Sequence, residues 1–293
     1  MPCQHGAETD ANAPRTGSVM TDDGVRLHYL EAGAGPDLLL VPGWSLTAEL
    51  WCHQIAEFSR THHVVAVDHR GQGRSEKPPY GYRVARLAAD MRDVIGALDL
   101  SDITWIGHSM GSAVSWAYWE LFRGHRLRRM VVIDQPAVVA APPHWPDGLA
   151  EKLGVIFRVG DFADLTSRLA GPDAEAATAA VIASLATPLL PDADRAWIVE
   201  QSMLMPREAA RALVFDNGVQ DWRGLLPRIS VPALVIGGDA SLFPASAMQE
   251  VAALIPSSTL RILSAEERGS HLSFYENPPV VNGAIRSFLR ESA

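Results

Sequence analysis

The sequence has few of the features that mark a disulfide-rich, membrane-spanning or secreted protein. Only two cysteines, Cys3 and Cys52, occur among 293 residues, which is too few for a disulfide framework and favours a reducing compartment. No window has about 18 consecutive apolar residues, and residues 1–18 lack the basic start and apolar core of a signal peptide. We therefore expect a soluble, cytoplasmic protein.

Positive charge is also scarce. The chain has 25 Lys and Arg residues against 34 Asp and Glu residues, a formal net charge of -9 at pH 7. Such a surface repels phosphate backbones and anionic lipids, so neither nucleic acid nor a membrane is expected as a partner. A hydrophobic small molecule fits the composition better, and the sequence leaves the oligomeric state open.

Short apolar runs alternate with longer helical stretches along much of the chain. This alternation predicts an α/β fold, in which a mostly parallel sheet has helices on both faces. The runs that predict strands are Val25–Glu31, Asp37–Val41, His63–Asp68, Ile103–Ile106, Met130–Asp134, Ala233–Gly237 and Thr259–Leu263.

Residues 137–232 follow a different pattern. They show helical periodicity interrupted by prolines and contain no convincing strand, which predicts an inserted helical cap over the sheet. The α/β core is then expected in two parts, residues 19–136 and 233–293. Residues 1–18 are polar and are expected to form a flexible N-terminal tail.

The strongest chemical signal is the motif Gly107-His108-Ser109-Met110-Gly111, which follows a predicted strand and precedes a helix of small residues. Glycines two residues on either side of a serine let strand and helix approach closely, so that the hydroxyl projects from a strained turn. The motif predicts Ser109 as a nucleophile. His108 is expected to be a packing residue or to lie at the rim of the substrate pocket, and not to be the catalytic base.

At these residues the sequence resembles the α/β-hydrolase fold family, and the resemblance extends from about Val25 to Leu289. Asp68–Ser75 resembles the family's D-x-R-G-x-G-x-S turn, which we interpret as a structural loop. Gly269-Ser270-His271 resembles its histidine loop, which implies that His271 is the general base. No metal and no organic cofactor is implied.

The resemblance also implies an oxyanion hole, in which two backbone amides stabilise the developing negative charge. One donor is expected from Met110, directly after the nucleophile, and the other from Trp44 in the loop that begins Pro42-Gly43. The indole of Trp44 is expected to line the substrate pocket. We predict Trp44, His108 and Trp145 as substrate-binding residues.

The acid of the catalytic triad departs from the common family pattern. The family usually has G-x-x-D after the strand that here ends at Gly237, but Ala240 occupies that place and Asp239 stands one residue early. Asp134 ends an earlier apolar strand, where an ionised carboxylate needs a donor such as an imidazole N–H. We therefore predict Asp134 as the acid. Asp239 as the acid, and a structural turn role for Asp134, stay open as alternatives.

These residues together predict a serine hydrolase that cleaves a hydrophobic carboxylic ester or lactone through an acyl-enzyme. Two alternatives share the fold: a cofactor-independent dioxygenase of the 3-hydroxy-4-quinolone type, and a small-molecule receptor. The first resembles this chain in its earlier-strand acid and its Pro-Gly-Trp loop. The large apolar residues of the cap, some of which are expected to line the pocket, are Trp145, Phe157, Phe162, Trp197, Met203, Met205, Phe215 and Trp222.

Overall fold

An eight-stranded, mostly parallel sheet forms the centre of the protein. The structure, a computed structural model, describes residues 14–146 and 148–291. The strands are β1 (Arg15–Met20), β2 (Arg26–Ala32), β3 (Asp37–Val41), β4 (His63–Val67), β5 (Ile103–His108), β6 (Leu127–Ile133), β7 (Ala140–Ala141), β8 (Phe157–Arg158), β9 (Ala233–Gly238) and β10 (Ser258–Leu263). The order across the main sheet is β1-β2-β4-β3-β5-β6-β9-β10, and β2 runs antiparallel to both of its neighbours.

The central strands are apolar and buried along almost their whole length. Strands β5 and β9 are buried at every residue, as expected for parallel strands that are covered by helices on both faces. Because these strands are parallel, their carboxyl ends lie at one edge of the sheet, where ligands of open α/β sheets bind. The turns after β3, β5, β6 and β9 therefore converge at this edge.

Helices cover both faces of the sheet, so the predicted α/β architecture is confirmed. Helices α2, α3 and α9 pack in one hydrophobic cluster, and α1 and α11 pack in another. The helices are α1 (Cys52–Phe58), α2 (Val84–Ala97), α3 (Met110–Phe122), α4 (Leu149–Lys152), α5 (Val159–Arg168), α6 (Ala174–Leu185), α7 (Asp192–Met203), α8 (Arg207–Gly218), α9 (Ala245–Leu254), α10 (Ser273–Glu276) and α11 (Pro278–Glu291).

The insertion between β6 and β9 carries helices α4 to α8. Its last helix, α8, buries Ala210 and Leu213 in the same hydrophobic cluster as α2 and α3, so the insertion is anchored to the core. The segment also contains the strands β7 and β8, which pair in parallel and which the sequence pattern did not predict. Strands of two residues are too short to show an alternation of apolar and polar side chains.

Two expectations for the N-terminal part of the chain are corrected. Residues 1–13 of the predicted tail, including Cys3, lie outside the described residues, but Arg15–Met20 forms β1 and pairs with β2. Only Val19 of this edge strand is buried, so its backbone pairing leaves almost no hydrophobic signal in the sequence. Cys52 is disulfide-bonded, so the cysteine content no longer supports a reducing compartment.

Among residues 14–146 and 148–291, no helix is long and apolar enough to cross a membrane.

Candidate active site

Ser109 stands on a sharp turn between β5 and α3. Its backbone has φ 50° and ψ -127°, a conformation that is rare for a residue with a side chain and costs on the order of 1–3 kcal/mol. The turn is held because the Ser109 amide donates to the Ile133 carbonyl at 2.7 Å. Gly111 is required here, since an added Cβ would lie 2.1 Å from the Val41 carbonyl oxygen. The strand-turn-helix context that the motif predicts is therefore present.

Asp134 and His271 meet beside this turn. Asp134 directly follows β6, the sheet neighbour of β5, and its backbone also has a positive φ of 53°. The Nδ1 atom of His271 donates to Asp134 Oδ2 at 2.6 Å, and both side chains are buried. Asp239 lies one residue beyond β9 and is exposed, and no hydrogen bond joins its carboxylate to His271 within the described ranges.

The contact with Asp134 sets the tautomer of His271. A proton on Nδ1 leaves the lone pair on Nε2, which is the arrangement that a general base needs. Ser109 and His271 line the same cavity. No hydrogen bond joins their side chains within the part of the chain that the structure describes, and catalytic hydrogen bonds often tighten only when substrate binds.

A second hydroxyl contacts Asp134, and sequence reasoning missed it. Ser241, in the loop after β9, donates its Oγ proton to Asp134 Oδ2. No motif marks this serine, because only the pairing of β6 with β9 brings its loop to the end of β6. The other carboxylate oxygen, Asp134 Oδ1, is buried and has no hydrogen-bond partner among the described residues.

His108 lies behind His271 and is fully buried. Its Nε2 donates to the His271 carbonyl at 2.9 Å, and the centres of the two rings are 4.7 Å apart. Burial, and then the proximity of His271, holds the pKa of His108 well below its usual value of 6.5. His108 is therefore neutral at physiological pH. It lines the cavity and also holds the backbone of the histidine loop.

The loop after β3 approaches the nucleophile closely. An added Cβ on Gly43 would lie 3.1 Å from Ser109 Cβ, so a larger residue there would press on the turn. The amide of Trp44 has no hydrogen-bond acceptor among the described residues. Met110 is the first residue of α3, where an amide lacks an intrahelical acceptor. The role of these two amides as oxyanion donors stays a prediction.

The Trp44 indole is held against the cap. Its Nε1 donates to the Ala210 carbonyl of α8 at 2.7 Å, and the half-buried ring lines the cavity. Next to it, Ser45 has a positive φ of 56° and donates to the Ser202 carbonyl at 2.8 Å. The loop that carries the predicted Trp44 donor is therefore bonded to two helices of the insertion.

The cavity above Ser109 has a volume of about 290 Å³ and mostly apolar walls. Helices α5, α6 and α8, strand β8, the segment before β7 and the loop after β9 supply most of these walls. Their apolar residues include Val139, Phe157, Phe162, Leu165, Val181, Val214, Leu242 and Phe243. Such a lining suits a hydrophobic small molecule.

The structure brings Trp44 and His108 to the cavity but places Trp145 elsewhere. Trp145 packs against Val138 and Leu153 in a separate cluster, and the guanidinium of Arg223 lies 4.4 Å from its ring centre. Trp145 therefore does not line the cavity above Ser109, where the prediction that it binds substrate would place it. Its apolar ring is used in the packing of α4, and the direction of a side chain in the insertion could not be deduced from periodicity.

The turn Asp68–Ser75 makes structural contacts. Asp68 accepts hydrogen bonds from the amides of Ala48 and Arg74. Arg70 is fully buried and its Nε donates to Asp90 Oδ2 at 2.6 Å. These bonds tie the turn to its surroundings. Among residues 14–146 and 148–291, no cluster of three or more potential metal ligands occurs.

Known proteins share this architecture. The family model of the alpha/beta hydrolase fold matches residues 36–278. The chain belongs to the α/β-hydrolase family. Its similarity to a non-heme chloroperoxidase from Streptomyces lividans is 30% identity over 288 residues, covering 94% of this chain and 99% of that protein. Epoxide hydrolase 4 of Mus musculus is 25% identical, over 92% of this chain and 78% of that protein.

Among solved structures, an esterase from Exiguobacterium antarcticum superposes with a TM-score of 0.84 at 19% identity. The match covers 93% of this chain and 98% of the esterase. At that identity the likeness concerns the fold alone. The family therefore includes relatives of more than one activity, and the residues of the site must distinguish between them.

Proposed function

We propose that this α/β-hydrolase is a serine hydrolase that cleaves a carboxylic ester or lactone bond of a hydrophobic small molecule through an acyl-enzyme. The supporting observation is that Ser109, on its strained turn, faces the same cavity as His271, whose Nδ1 is held by Asp134 at 2.6 Å. This arrangement combines a projecting nucleophile, an oriented base and a buried acid.

The proposed reaction begins when Ser109 Oγ attacks the carbonyl carbon while His271 Nε2 takes its proton. The amides of Trp44 and Met110 donate to the resulting oxyanion, and Asp134 stabilises the imidazolium. His271 then protonates the departing alcohol oxygen, which leaves an acyl group on Ser109. Water, deprotonated by His271, releases the acid. From a lactone the product is a single hydroxy acid.

The nucleophile distinguishes this reaction from epoxide opening. Attack of a serine oxygen on an epoxide carbon would form an ether, which contains no carbonyl for water to attack, so the enzyme would remain alkylated. Attack on an ester instead forms a new ester that the same base can hydrolyse. The serine at position 109 therefore favours acyl transfer, although an epoxide hydrolase is among the relatives.

The quinolone-type dioxygenase and the receptor remain alternatives with partial support. The acid after β6 and the Pro42-Gly43-Trp44 loop also fit the dioxygenase. The projecting Ser109 hydroxyl favours hydrolysis, because the acyl-enzyme depends on it. Sustained turnover of an ester would exclude a pure receptor, and oxygen uptake with a hydroxyquinolone substrate would support the dioxygenase.

A fluorophosphonate probe tests the proposal directly. Wild type should be labelled at Ser109, and Ser109→Ala should not be labelled. Ser184→Ala is the matched control, since Ser184 lines the same cavity but donates its hydroxyl to the Val181 carbonyl at 2.7 Å. A panel of aryl esters and lactones, with oxygen consumption followed in parallel, then identifies the reaction. Labelling at Ser184, or oxygen uptake without ester cleavage, would overturn the proposal.

A further inference from the structure

Ser241 is the second hydrogen-bond donor to the buried carboxylate of Asp134. Its Oγ donates to Oδ2, the same oxygen that His271 Nδ1 contacts at 2.6 Å. The amide of Phe243 donates to Ser241 Oγ at 3.2 Å. Since a hydroxyl has one proton to donate, the bond from Phe243 leaves that proton for Asp134.

Asp134 has few other means of stabilising its charge. Its side chain is 1% exposed, and Oδ1 has no hydrogen-bond partner among residues 14–146 and 148–291. Within the same ranges, the carboxylate is therefore bonded only to His271 and Ser241, both through Oδ2. Two hydrogen bonds thus compensate the cost of removing this charge from water. If one of the two donors is lost, a large part of that cost is no longer compensated.

The position of Ser241 follows from the sheet. Strands β6 and β9 are neighbours, and the Asp134 amide donates to the Ile236 carbonyl at 2.8 Å. The loop after β9 therefore runs beside Asp134, which directly follows β6. In this loop Ala240 stands where the family's common acid is expected, and the next residue, Ser241, supplies a hydroxyl to Asp134.

We propose that Ser241 is a positioning residue of the catalytic triad: its hydroxyl donates to the Asp134 carboxylate and orients Oδ2 toward His271 Nδ1. This inference rests on the proposed serine hydrolase function. Ser241 acts through Asp134 and is not among the residues that line the cavity. Its loss should therefore lower kcat and leave KM almost unchanged.

The sign of the pH effect can be deduced from the surrounding groups. His271 faces Asp134 directly, His108 lies behind His271 and is neutral, and Asp239 on the same loop as Ser241 is exposed. Without the Ser241 hydroxyl, more of the Asp134 charge acts on the His271 imidazolium and stabilises it. This effect moves the acid limb of the pH–rate profile upward.

The test compares Ser241→Ala with Ser241→Thr and with Ser258→Ala, whose hydroxyl donates to the Ala252 carbonyl away from the site. For Ser241→Ala we expect a kcat about 10- to 100-fold lower, the effect of losing a hydrogen bond to a charged group. The acid limb should rise by about 0.5–1 pH unit. Ser241→Thr should recover most of the activity, and Ser258→Ala should match wild type.

A double-mutant cycle separates positioning through Asp134 from a general structural effect. In an Asp134→Asn background, adding Ser241→Ala should cost less than about twofold, because the two residues act as one unit. If Ser241→Ala folds poorly in a thermal melt, kcat and the pH profile are compared between Ser241→Thr and Ser241→Val. These two variants have the same shape and differ only in the hydroxyl. Unchanged kcat and pH profile in Ser241→Ala, or an equal loss in the Asp134→Asn background, would overturn the inference.

The inference can also be tested without any substrate. The titration midpoint of the His271 imidazole, followed by NMR in the free protein, should be higher in Ser241→Ala than in wild type and Ser241→Thr. An unchanged midpoint would contradict it. Absence of probe labelling and ester turnover in wild type would instead refute the proposed function, so the two failures are distinguishable.

Discussion

The carboxyl edge of the sheet and the helical insertion contribute to the site in different ways. At the edge, Ser109 and Asp134 have backbone conformations with positive φ, and they and His271 are bound into place by short hydrogen bonds. In the insertion, the helices contribute mainly apolar side chains to the cavity. The reactive groups thus lie on turns at the ends of strands, whereas the cavity walls consist mostly of side chains from helices. Substitutions of the reactive residues should therefore abolish turnover, and substitutions in the insertion should change kcat or KM by smaller factors.

The largest expected effect tests the edge itself. Ser109→Ala should lower kcat on a hydrolysed ester by about 10⁴-fold or more, because a triad acts as a unit. The melting temperature should not fall, since Ser109 contributes its backbone and not its hydroxyl to the turn. Ser184→Ala, in the insertion, should keep kcat within a few-fold. Steady-state kinetics and a thermal melt provide the measurement. A comparable loss of kcat in both variants would contradict the proposed difference between the sheet edge and the insertion.

The next prediction compares two aspartates at the same edge. Asp134→Asn should favour the wrong His271 tautomer and lower kcat by about 10⁴-fold, as replacement of the triad acid does in a serine protease. Asp239→Asn should cost less than about tenfold, since its side chain is exposed. Both variants should be measured on one ester after folding is verified. The reverse order would mean that Asp239 is the acid in solution.

The two regions should also respond differently to acid. Burial lowers the pKa of His69, in the turn after β4, to about 4, whereas the unfolded chain has the usual value of 6.5. Between these values the unfolded state binds the proton and the folded state does not, so stability falls as the pH falls. From pH 7 to pH 5 His69 should cost about 2 kcal/mol of unfolding free energy.

Urea unfolding at pH 7 and pH 5 measures this change in the free energy of unfolding. His69→Asn should lose about 2 kcal/mol less than wild type over that interval. His144→Asn, an exposed histidine in the insertion, should keep the wild-type pH dependence. An identical slope in all three proteins would show that His69 takes up its proton equally in the folded and unfolded states, which would contradict the prediction.

The smallest predicted effect tests whether the two regions are separate at all. Arg207 of α8 donates to the Ser202 carbonyl and, at 3.1 Å, to Ser45 Oγ beside the predicted oxyanion donor Trp44. Although Arg207 lies in the insertion, Arg207→Ala should therefore lower kcat. We expect a loss of about tenfold, which corresponds to one or two hydrogen bonds. Arg211→Ala is the control, because the Arg211 side chain is 43% exposed and pairs with Glu208. If only KM changed in Arg207→Ala, the loop would not depend on the insertion.

Much of the fold and the core of the site could be predicted from the sequence. Buried parallel strands are continuous apolar runs, so β3 to β6 and β9 were recognisable. The residues around Ser109 predict a strand, a turn and a helix because the close approach of these elements requires small residues at fixed spacing. Edge strand β1 was missed, since a strand defined by backbone pairing needs no buried side chains.

Other features could be decided only by the tertiary structure. The sequence placed Asp134 and Asp239 at two strand ends, but which carboxylate faces His271 depends on how two loops pass each other. The misplacement of Trp145 and the contact of Ser241 with Asp134 have the same origin. Main-chain patterns are local and recur along the chain, whereas the direction of a side chain depends on the rotation of its helix or loop against neighbours that are distant in sequence.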